Sequence, residues 1–191
     1  MLQACTAAVA GLCLLAVAPQ SGNAGPPVRV KVFRNMAFGS DGYLQYMTVD
    51  PESGEVGLQP VASQSKSGCF WEVIRAWDNY RGYVTHYIRN RSNTPHNGQY
   101  LAIDSASGKL ILTKTPTTFE YNAYWLVRYA GREHGRGKYT IQNLGHSQGG
   151  HDMSFIAADA QSGAIGLTRD VTPGAFWTMN RVEMAPRELI R

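Results

Sequence analysis

The amino-acid sequence predicts an all-β protein made of three similar units. A pattern of apolar strand, Asp, two residues, Ser-Gly and second apolar strand occurs three times, with its aspartates 54 and 55 residues apart. An aromatic-Trp pair closes each unit, and the tryptophans are 54 and 52 residues apart. No long stretch has a helical apolar period, and internal repetition decides architecture before local propensity does. The repeated residues are Asp50, Asp104 and Asp159, followed by Trp71, Trp125 and Trp177.

Each unit is predicted to hold four strands. The first strand ends at an Asn, and the next two form a hairpin around the Asp-x-x-Ser-Gly segment. In such a turn Asp accepts backbone N–H bonds, and Gly supplies the positive φ that returns the chain to the second strand. The fourth strand starts at the Trp, which gives twelve strands in all. The predicted first strands are 32–35, 87–90 and 140–143, and the fourth strands are 71–75, 125–128 and 177–181.

The number of units selects the architecture. Propellers typically need at least four blades, and a solenoid requires more copies and capping ends. A closed barrel with pseudo-threefold symmetry, the β-trefoil, uses three four-stranded units and leaves no open edge. We therefore predict one β-trefoil with its three closing tryptophans at equivalent buried positions. The predicted repeats are about 28–80, 81–135 and 136–184.

The order of hairpin, Asp, Gly, apolar-x-Leu and then Trp resembles the ricin B-type lectin and fascin-like β-trefoil families, over about residues 28–184. Two departures separate the chain from the ricin-type pattern. Those repeats usually place Gln two residues before the Trp, where this chain has Cys69, Ala123 and Ala175. Ricin-type repeats also commonly carry a disulfide, and a mature chain with a single cysteine cannot form one within itself. The small-aromatic-Trp ending is closer to fascin-like units, so the resemblance implies the fold first and lectin activity second.

Residues 1–24 are predicted to be a secretory signal peptide. They carry no charged side chain, hold an apolar run from Ala7 to Ala18, and end in the small-residue site Gly22-Asn23-Ala24. The apolar run is short for a membrane span, and an uncleaved anchor is the alternative. Removing the segment leaves a single domain of 167 residues, 25–191, in a secreted, extracellular protein. Its one cysteine, Cys69, is expected to be a buried small residue, with pairing between chains as the alternative.

The net charge of +4 is compatible with an acidic partner, but it is modest. Basic residues gather in a predicted loop at 129–138, which suggests an acidic polysaccharide, while Glu133 dilutes this cluster. The expected partner is a glycan or an extracellular protein. No nucleic acid and no membrane span in the mature chain are expected. Asn90-Arg91-Ser92 is the single N-glycosylation sequon.

The three repeated aspartates are the first candidates for ligand binding. By the resemblance, Asp50, Asp104 and Asp159 would accept bonds from sugar hydroxyls, each in its own shallow pocket. The alternative is that each Asp only caps its turn, which the Asp-x-x-Ser-Gly spacing explains without a ligand. Asp104 and Asp159 are favoured because polar loops precede them, and these loops place His96 or His151 at the rim of a pocket.

The sequence offers no signature of catalysis or metal binding. It lacks a nucleophile elbow, a phosphate loop and a His-Glu-x-x-His segment. The spacing of His146, His151 and Asp152 matches no closed metal site, so neither a metal nor another cofactor is expected. We expect no enzyme activity. The predicted function is a secreted carbohydrate-binding, lectin-like module. The alternative is a protein-binding trefoil that is cytokine-like, a protease inhibitor or a fascin-like interaction module.

Overall fold

The structure is a computed structural model. It describes residues 28–38, 45–60, 68–80, 82–116, 122–145 and 154–184. The predicted signal peptide and residues 186–191 lie outside the described residues. Within the described part of the chain, no helix is long and apolar enough to cross a membrane.

Twelve strands and a single turn of 3-10 helix, Pro173–Ala175, are found in the described residues. The first unit contains β1 (Val28–Asn35), β2 (Gln45–Val49), β3 (Val56–Pro60) and β4 (Trp71–Tyr80). The second contains β5 (Tyr83–Asn90), β6 (Tyr100–Ile103), β7 (Leu110–Thr113) and β8 (Trp125–Glu133). The third contains β9 (Arg136–Asn143), β10 (Ser154–Ala158), β11 (Ile165–Thr168) and β12 (Trp177–Met184). The all-β prediction is therefore confirmed.

The first and fourth strands of the units form a closed antiparallel barrel. The pairs run in the order β1–β4, β4–β5, β5–β8, β8–β9, β9–β12 and β12–β1, which returns to the starting strand. The hairpins β2–β3, β6–β7 and β10–β11 are attached to the barrel through β1, β5 and β9. A closed ring leaves no barrel strand with an unpaired edge. This is the arrangement of a β-trefoil.

One local prediction is wrong. Residues 129–138 were expected to form a basic loop, but they belong to the long hairpin β8–β9, in which Glu133 pairs with Arg136. Its turn is made by His134 and Gly135, whose φ angles are 49° and 75°. Positive φ at both central residues matches the twist of two-residue hairpins, so the strands continue to the turn. The charged side chains do not prevent strand pairing, because the hydrogen bonds between the two strands are made by backbone groups alone.

The three closing tryptophans lie at equivalent buried positions, as predicted. Each is 0% exposed and belongs to the main core cluster. Each indole N–H also donates to a carbonyl in the outer hairpin of its own unit, which satisfies the buried donor. These bonds run from Trp71 to Met47 (2.9 Å), from Trp125 to Leu101 (2.8 Å) and from Trp177 to Ile156 (3.0 Å).

A buried asparagine at the end of each unit's first strand joins that unit to the one before it. Its Nδ2 donates to the backbone carbonyl of the residue three positions before the Trp that closes the preceding unit. Its Oδ1 accepts the backbone N–H two residues farther along the chain. The Nδ2 bonds run from Asn35 to Gly174 (2.7 Å), from Asn90 to Gly68 (3.2 Å) and from Asn143 to Asn122 (2.8 Å). The three bonds therefore link the units in a ring.

Burial describes two further residues that the sequence analysis named. Cys69 is 0% exposed and packs with Val30, Val32 and Phe70 in a second apolar cluster, so its interpretation as a buried small residue is confirmed. Asn90 of the sequon is also fully buried and hydrogen-bonded. Its amide is therefore inaccessible in the folded protein.

We expect Asn143→Ala to lower the free energy of unfolding by about 2–4 kcal/mol, because it removes bonds to one buried and one partly buried backbone group, and a buried group costs about 1–3 kcal/mol when left unpaired. The groups are the Asn122 carbonyl (2.8 Å) and the Gly145 N–H (3.0 Å). Urea unfolding followed by tryptophan fluorescence measures the change. The control is Asn180→Ala, an exposed residue of β12, expected to change stability by at most about 0.5 kcal/mol. Equal stability of the two variants would contradict the role given to the buried asparagines.

Candidate functional site

The Asp50 turn shows how the repeated Asp-x-x-Ser-Gly segment folds. Oδ1 of Asp50 accepts the N–H groups of Glu52 (3.0 Å) and Ser53 (2.7 Å), and also the Ser53 hydroxyl (2.9 Å). The Asp50 carbonyl accepts the N–H of Gly54 at 2.9 Å. Gly54 has a φ of +76°, which lets the chain re-enter the second strand. The carboxylate therefore caps the turn through one of its two oxygens.

The other two turns repeat this geometry with small differences. The Asp104 carboxylate accepts the Ser107 hydroxyl at 2.6 Å, through Oδ2. Oδ1 of Asp159 accepts the N–H groups of Gln161 (2.7 Å) and Ser162 (2.9 Å). Turn capping, the alternative that needs no ligand, is therefore present in all three units. Ligand binding by the same carboxylates stays a prediction.

The capping bonds favour the charged form of each carboxyl group. The Ser53 N–H and hydroxyl hold the pKa of Asp50 below its ordinary value of 3.8. The Ser107 hydroxyl, followed by a backbone N–H, does the same for the pKa of Asp104, and the Ser162 N–H for the pKa of Asp159. Hydrogen bonds to a carboxylate stabilise it relative to the neutral acid. All three aspartates are consequently anionic acceptors at neutral pH.

A cleft of about 370 Å³ lies between the first and second hairpins. It combines polar groups of both units with the apolar segment 110–112 of β7. We call it the hairpin cleft. The charged and amide side chains among its lining residues are Glu55, His96, Gln99, Asp104 and Lys109.

His96 packs against the turn of the first unit. A Cβ placed on Gly54 would lie 2.7 Å from Cε1 of the imidazole, so the ring lies directly on the glycine. The His96 backbone N–H donates to Oγ1 of Thr94 at 3.3 Å, and Nδ1 lies 3.5 Å from Nε2 of Gln99. The loop of one unit thus contacts the hairpin of another.

The structure brings together two of the predicted site residues, His96 and Asp104, which line the same cleft. It also places the Asp50 turn beside His96, although the sequence analysis favoured the other two aspartates. Gln99 and Lys109 were missed by sequence reasoning. Gln99 had a detectable signal, since Gln precedes the aromatic residue of the second strand at both 45 and 99.

Two smaller depressions lie beside the favoured aspartates. One of about 230 Å³ is lined by Asp104, Ser105 and Thr113, and one of about 310 Å³ by Asp159 and Thr168, among others. Asp104 therefore borders two depressions, the hairpin cleft and the smaller one of about 230 Å³. His151 lies outside the described residues, as do His146 and Asp152, so its place near Asp159 stays a prediction. Among the residues that the structure describes, no group of three His, Cys, Asp or Glu side chains could hold a metal ion.

We expect Gly54→Ala to be more harmful than Gly163→Ala. Both glycines have positive φ, at +76° and +72°, so the backbone penalty for alanine is matched. No atom lies within 4 Å of a Cβ at Gly163, whereas a Cβ at Gly54 meets the His96 ring. Each variant should lose about 1 kcal/mol from backbone strain, and Gly54→Ala should in addition displace the imidazole. Urea unfolding and the NMR shifts of the His96 ring measure the two effects. Unchanged ring shifts in Gly54→Ala would contradict the described contact.

The pKa directions predict an acid-sensitive contribution to stability. A lowered carboxyl pKa in the folded state means that the unfolded chain binds more protons at low pH. The contribution of Asp50, Asp104 and Asp159 is therefore complete above the ordinary value of 3.8, and it is lost as the pH falls through the lower folded values. The triple variant with Asn at these positions should show a shallower loss of unfolding free energy between about pH 5 and pH 2 than the unmodified protein. Equal slopes of unfolding free energy against pH in the two proteins, each measured by urea unfolding, would contradict this prediction.

No protein-family model matches the chain, and no curated protein matches it. Solved structures do resemble it. The BEL β-trefoil, in an apo crystal form, is 13% identical with a TM-score of 0.55, and the match covers 80% of this chain and 93% of that one. SeviL bound to the asialo-GM1 saccharide is 9% identical with a TM-score of 0.54, and the match covers 80% of this chain and 98% of that one.

A third similar structure is a much longer protein. It is a GlcNAcα1-4Gal releasing endo-β-galactosidase from Clostridium perfringens, 14% identical with a TM-score of 0.51. The match covers 79% of this chain and spans 32% of the enzyme chain. Likeness at such low identity concerns the fold and not the activity. The predicted resemblance to β-trefoil proteins is confirmed at that level: this chain has the β-trefoil fold.

Proposed function

We propose that the protein is a carbohydrate-binding, lectin-like β-trefoil module whose main site is the hairpin cleft. The observation that carries the proposal is the composition of this cleft, where hydrogen-bonding side chains of two units adjoin the apolar segment 110–112. A sugar ring presents hydroxyl groups at its edge and C–H groups on its faces. Small-molecule sites similarly combine apolar surface with a few polar groups that fix orientation. The cleft therefore suits a saccharide.

Asp104 is the proposed central acceptor. Its Oδ1 accepts the Ala106 N–H at 3.2 Å, and its Oδ2 accepts the Ser107 hydroxyl at 2.6 Å. An ionised carboxylate offers about four lone-pair positions, so acceptor capacity remains for sugar hydroxyls. The lowered pKa of Asp104 keeps it charged, and hydrogen bonds to a charged acceptor are stronger than neutral ones.

The remaining polar side chains of the cleft supply complementary groups. The Gln99 amide both donates and accepts, the Lys109 ammonium donates, and His96 does either according to its tautomer. His96 is positioned by its contact with Gly54. The depression beside Asp159 is a proposed second, weaker site, with His151 as its rim residue by the sequence prediction.

Secretion and the absence of catalysis belong to the same proposal. Residues 1–24 have the pattern of a signal peptide, and the sequence contains no nucleophile elbow, phosphate loop or His-Glu-x-x-His segment. A saccharide-bound protein, SeviL, is among the similar folds, which supports carbohydrate as the ligand class.

A protein partner is the second candidate, favoured by a different surface. Tyr83, Val84 and Tyr129, on the long barrel hairpins, are 42%, 44% and 59% exposed. The Arg128 guanidinium lies 4.8 Å from the centre of the Tyr83 ring. Exposed aromatic residues with arginine are enriched at protein interfaces. The candidate thus uses the barrel hairpins rather than the hairpin cleft.

A glycan array followed by calorimetry tests the main proposal. We expect the protein to bind one sugar family reproducibly. Asp104→Asn keeps one of the two oxygens that cap the turn but removes the charge, so affinity should fall about tenfold or more, equivalent to about 1.4 kcal/mol, while the melting temperature falls less than in Asp104→Ala. Asp104→Ala should lower both. Asp159→Asn is the matched control, because it makes the same change in an equivalent turn at the weaker site.

Two results would decide against the proposal. A blank array together with a specific captured protein, whose binding is lost in Tyr129→Ala, would support the alternative. Sugar affinity that survives both Asp104→Asn and Asp159→Asn, while the alanine variants only lower the melting temperature, would show that the aspartates are turn residues alone.

A further inference from the structure

One end of the barrel is left open by the outer hairpins, which attach near the last residues of β1, β5 and β9. In a closed barrel, residues that face the interior alternate along each strand with residues that face outward. Phe33, Ile88 and Ile141 of these strands belong to the main core cluster, so they face the interior. The residues two positions earlier therefore face the same side at the open end. They are Lys31, His86 and Tyr139.

Each of these three residues has a direct partner on the neighbouring fourth strand. The first member of every pair is half-buried, and its partner is exposed to solvent. We call these six residues the barrel mouth. The pairs are Lys31–Arg181, His86–Arg75 and Tyr139–Tyr129.

Two of the three pairs place basic groups directly opposite each other, an arrangement that destabilises a sheet when both groups are charged. Burial, followed by the charge of Arg181, lowers the pKa of Lys31. Burial also lowers the pKa of His86, and the charge of Arg75 adds to this effect. None of the six residues is acidic. An anionic group bound at the barrel mouth would relieve the repulsion in both pairs.

Acidic residues farther along the same strands have basic neighbours of their own. Glu183 lies opposite Arg29 in the β1–β12 ladder, and Oε2 of Glu133 lies 3.4 Å from Nζ of Lys138. Among the side chains that the structure describes, no carboxylate forms an ion pair with Lys31 or Arg75. The barrel mouth is therefore a positively charged surface.

The third pair adds an aromatic surface to these cations. Tyr129 is 59% exposed, and its ring centre lies 5.5 Å from that of Tyr139 at an interplanar angle of 66°. The Tyr139 ring lies over Gly137, where an added Cβ would be 3.0 Å from Cε2 of the tyrosine. The face of an aromatic ring carries partial negative charge, so it attracts the C–H groups on the face of a sugar. The mouth thus combines donors for an acidic group with a surface for a sugar ring.

We propose that the barrel mouth binds an acidic saccharide, with its carboxylate or sulfate group near the Lys31–Arg181 and His86–Arg75 pairs and its ring against Tyr129. Arginine suits such acidic groups because its planar donors match their geometry. A free anion would need the cations but not the tyrosines. The sequence analysis placed an acidic polysaccharide at 129–138, whereas the cations of the mouth come from β1, β4 and β12. The mouth shares no residue with the hairpin cleft, so the inference stands independently of the proposed function.

An NMR titration of the full chain with monosaccharides tests the site. The probes are glucose, glucuronic acid and glucose 6-sulfate, together with galactose, galacturonic acid and galactose 6-sulfate. We expect at least one of the four acidic sugars to cause saturable shifts of the His86 and Tyr129 ring resonances. The neutral parent sugar should leave these resonances unchanged.

Two double variants separate the site from the effect of net charge. Arg75→Gln with Arg181→Gln should weaken binding of the acidic sugar by about tenfold, because each exposed charge contact contributes up to about 1 kcal/mol. Lys114→Gln with Arg169→Gln removes the same number of positive charges from exposed positions outside the mouth. This matched control should bind the sugar as the unmodified protein does.

Single variants separate a saccharide from a free anion and from the other proposed surfaces. Tyr129→Ala should weaken binding of the acidic sugar and leave the weaker binding of inorganic sulfate unchanged. Tyr83→Ala removes an exposed tyrosine outside the mouth and should change neither. Asp104→Asn alters the hairpin cleft alone, so it should keep the response to acidic sugars even if the cleft binds no saccharide.

Three results would overturn the inference. The first is that none of the four acidic sugars shifts the His86 or Tyr129 resonances of the unmodified protein. The second is equal weakening of binding by the two double variants, which would show an effect of net charge only. The third is that inorganic sulfate or polyglutamate binds more tightly than every acidic sugar, which would assign the mouth to a free anion or to an acidic protein.

Discussion

The fold depends on a ring of buried amide hydrogen bonds between successive units. Each bond runs from a buried asparagine to the backbone carbonyl of the residue three positions before the Trp that closes the preceding unit. The asparagines are Asn35, Asn90 and Asn143. A buried polar group left without a partner costs more than an ordinary hydrogen bond contributes, so these contacts disfavour any packing of the units that buries the same groups without pairing them. Because the Trp that follows each carbonyl also bonds its own hairpin, the asparagine fixes the barrel and the hairpins together.

Closure of this ring creates the surface on which the proposed binding depends. The hairpin cleft exists only because the first hairpin and the loop before β6 come from different units and are brought into contact, with His96 lying on Gly54. The aspartates connect stability to this surface. Each caps its own turn, yet a carboxylate capping a turn still has acceptor positions directed elsewhere. The same charge can therefore stabilise the turn and face a ligand, and the two roles do not exclude one another.

Equivalent positions of the three units differ in how much change they tolerate. Positions that repeat without change, such as the buried Trp and Asn residues, serve packing and closure. The residue three before each Trp shows a tolerated change: a Cβ at Gly68 or Gly174 would clash with a carbonyl, whereas Asn122 takes the third position. At the barrel mouth the change is of another kind, because the three equivalent pairs are Lys31–Arg181, His86–Arg75 and Tyr139–Tyr129.

The sequence by itself determined the fold class, the number of units, the position of most strands and the burial of Trp71, Trp125 and Trp177. It could do so because repetition and strand alternation are local patterns that every unit must satisfy. It also selected His96 and Asp104 as site residues. Only the tertiary structure decided that these two share a cleft, that His96 lies on the Asp50 turn, and that Lys31 faces Arg181 where the equivalent His86 faces Arg75. Those relations join residues of different units, and the order of residues along the chain does not reveal which surfaces meet when the barrel closes.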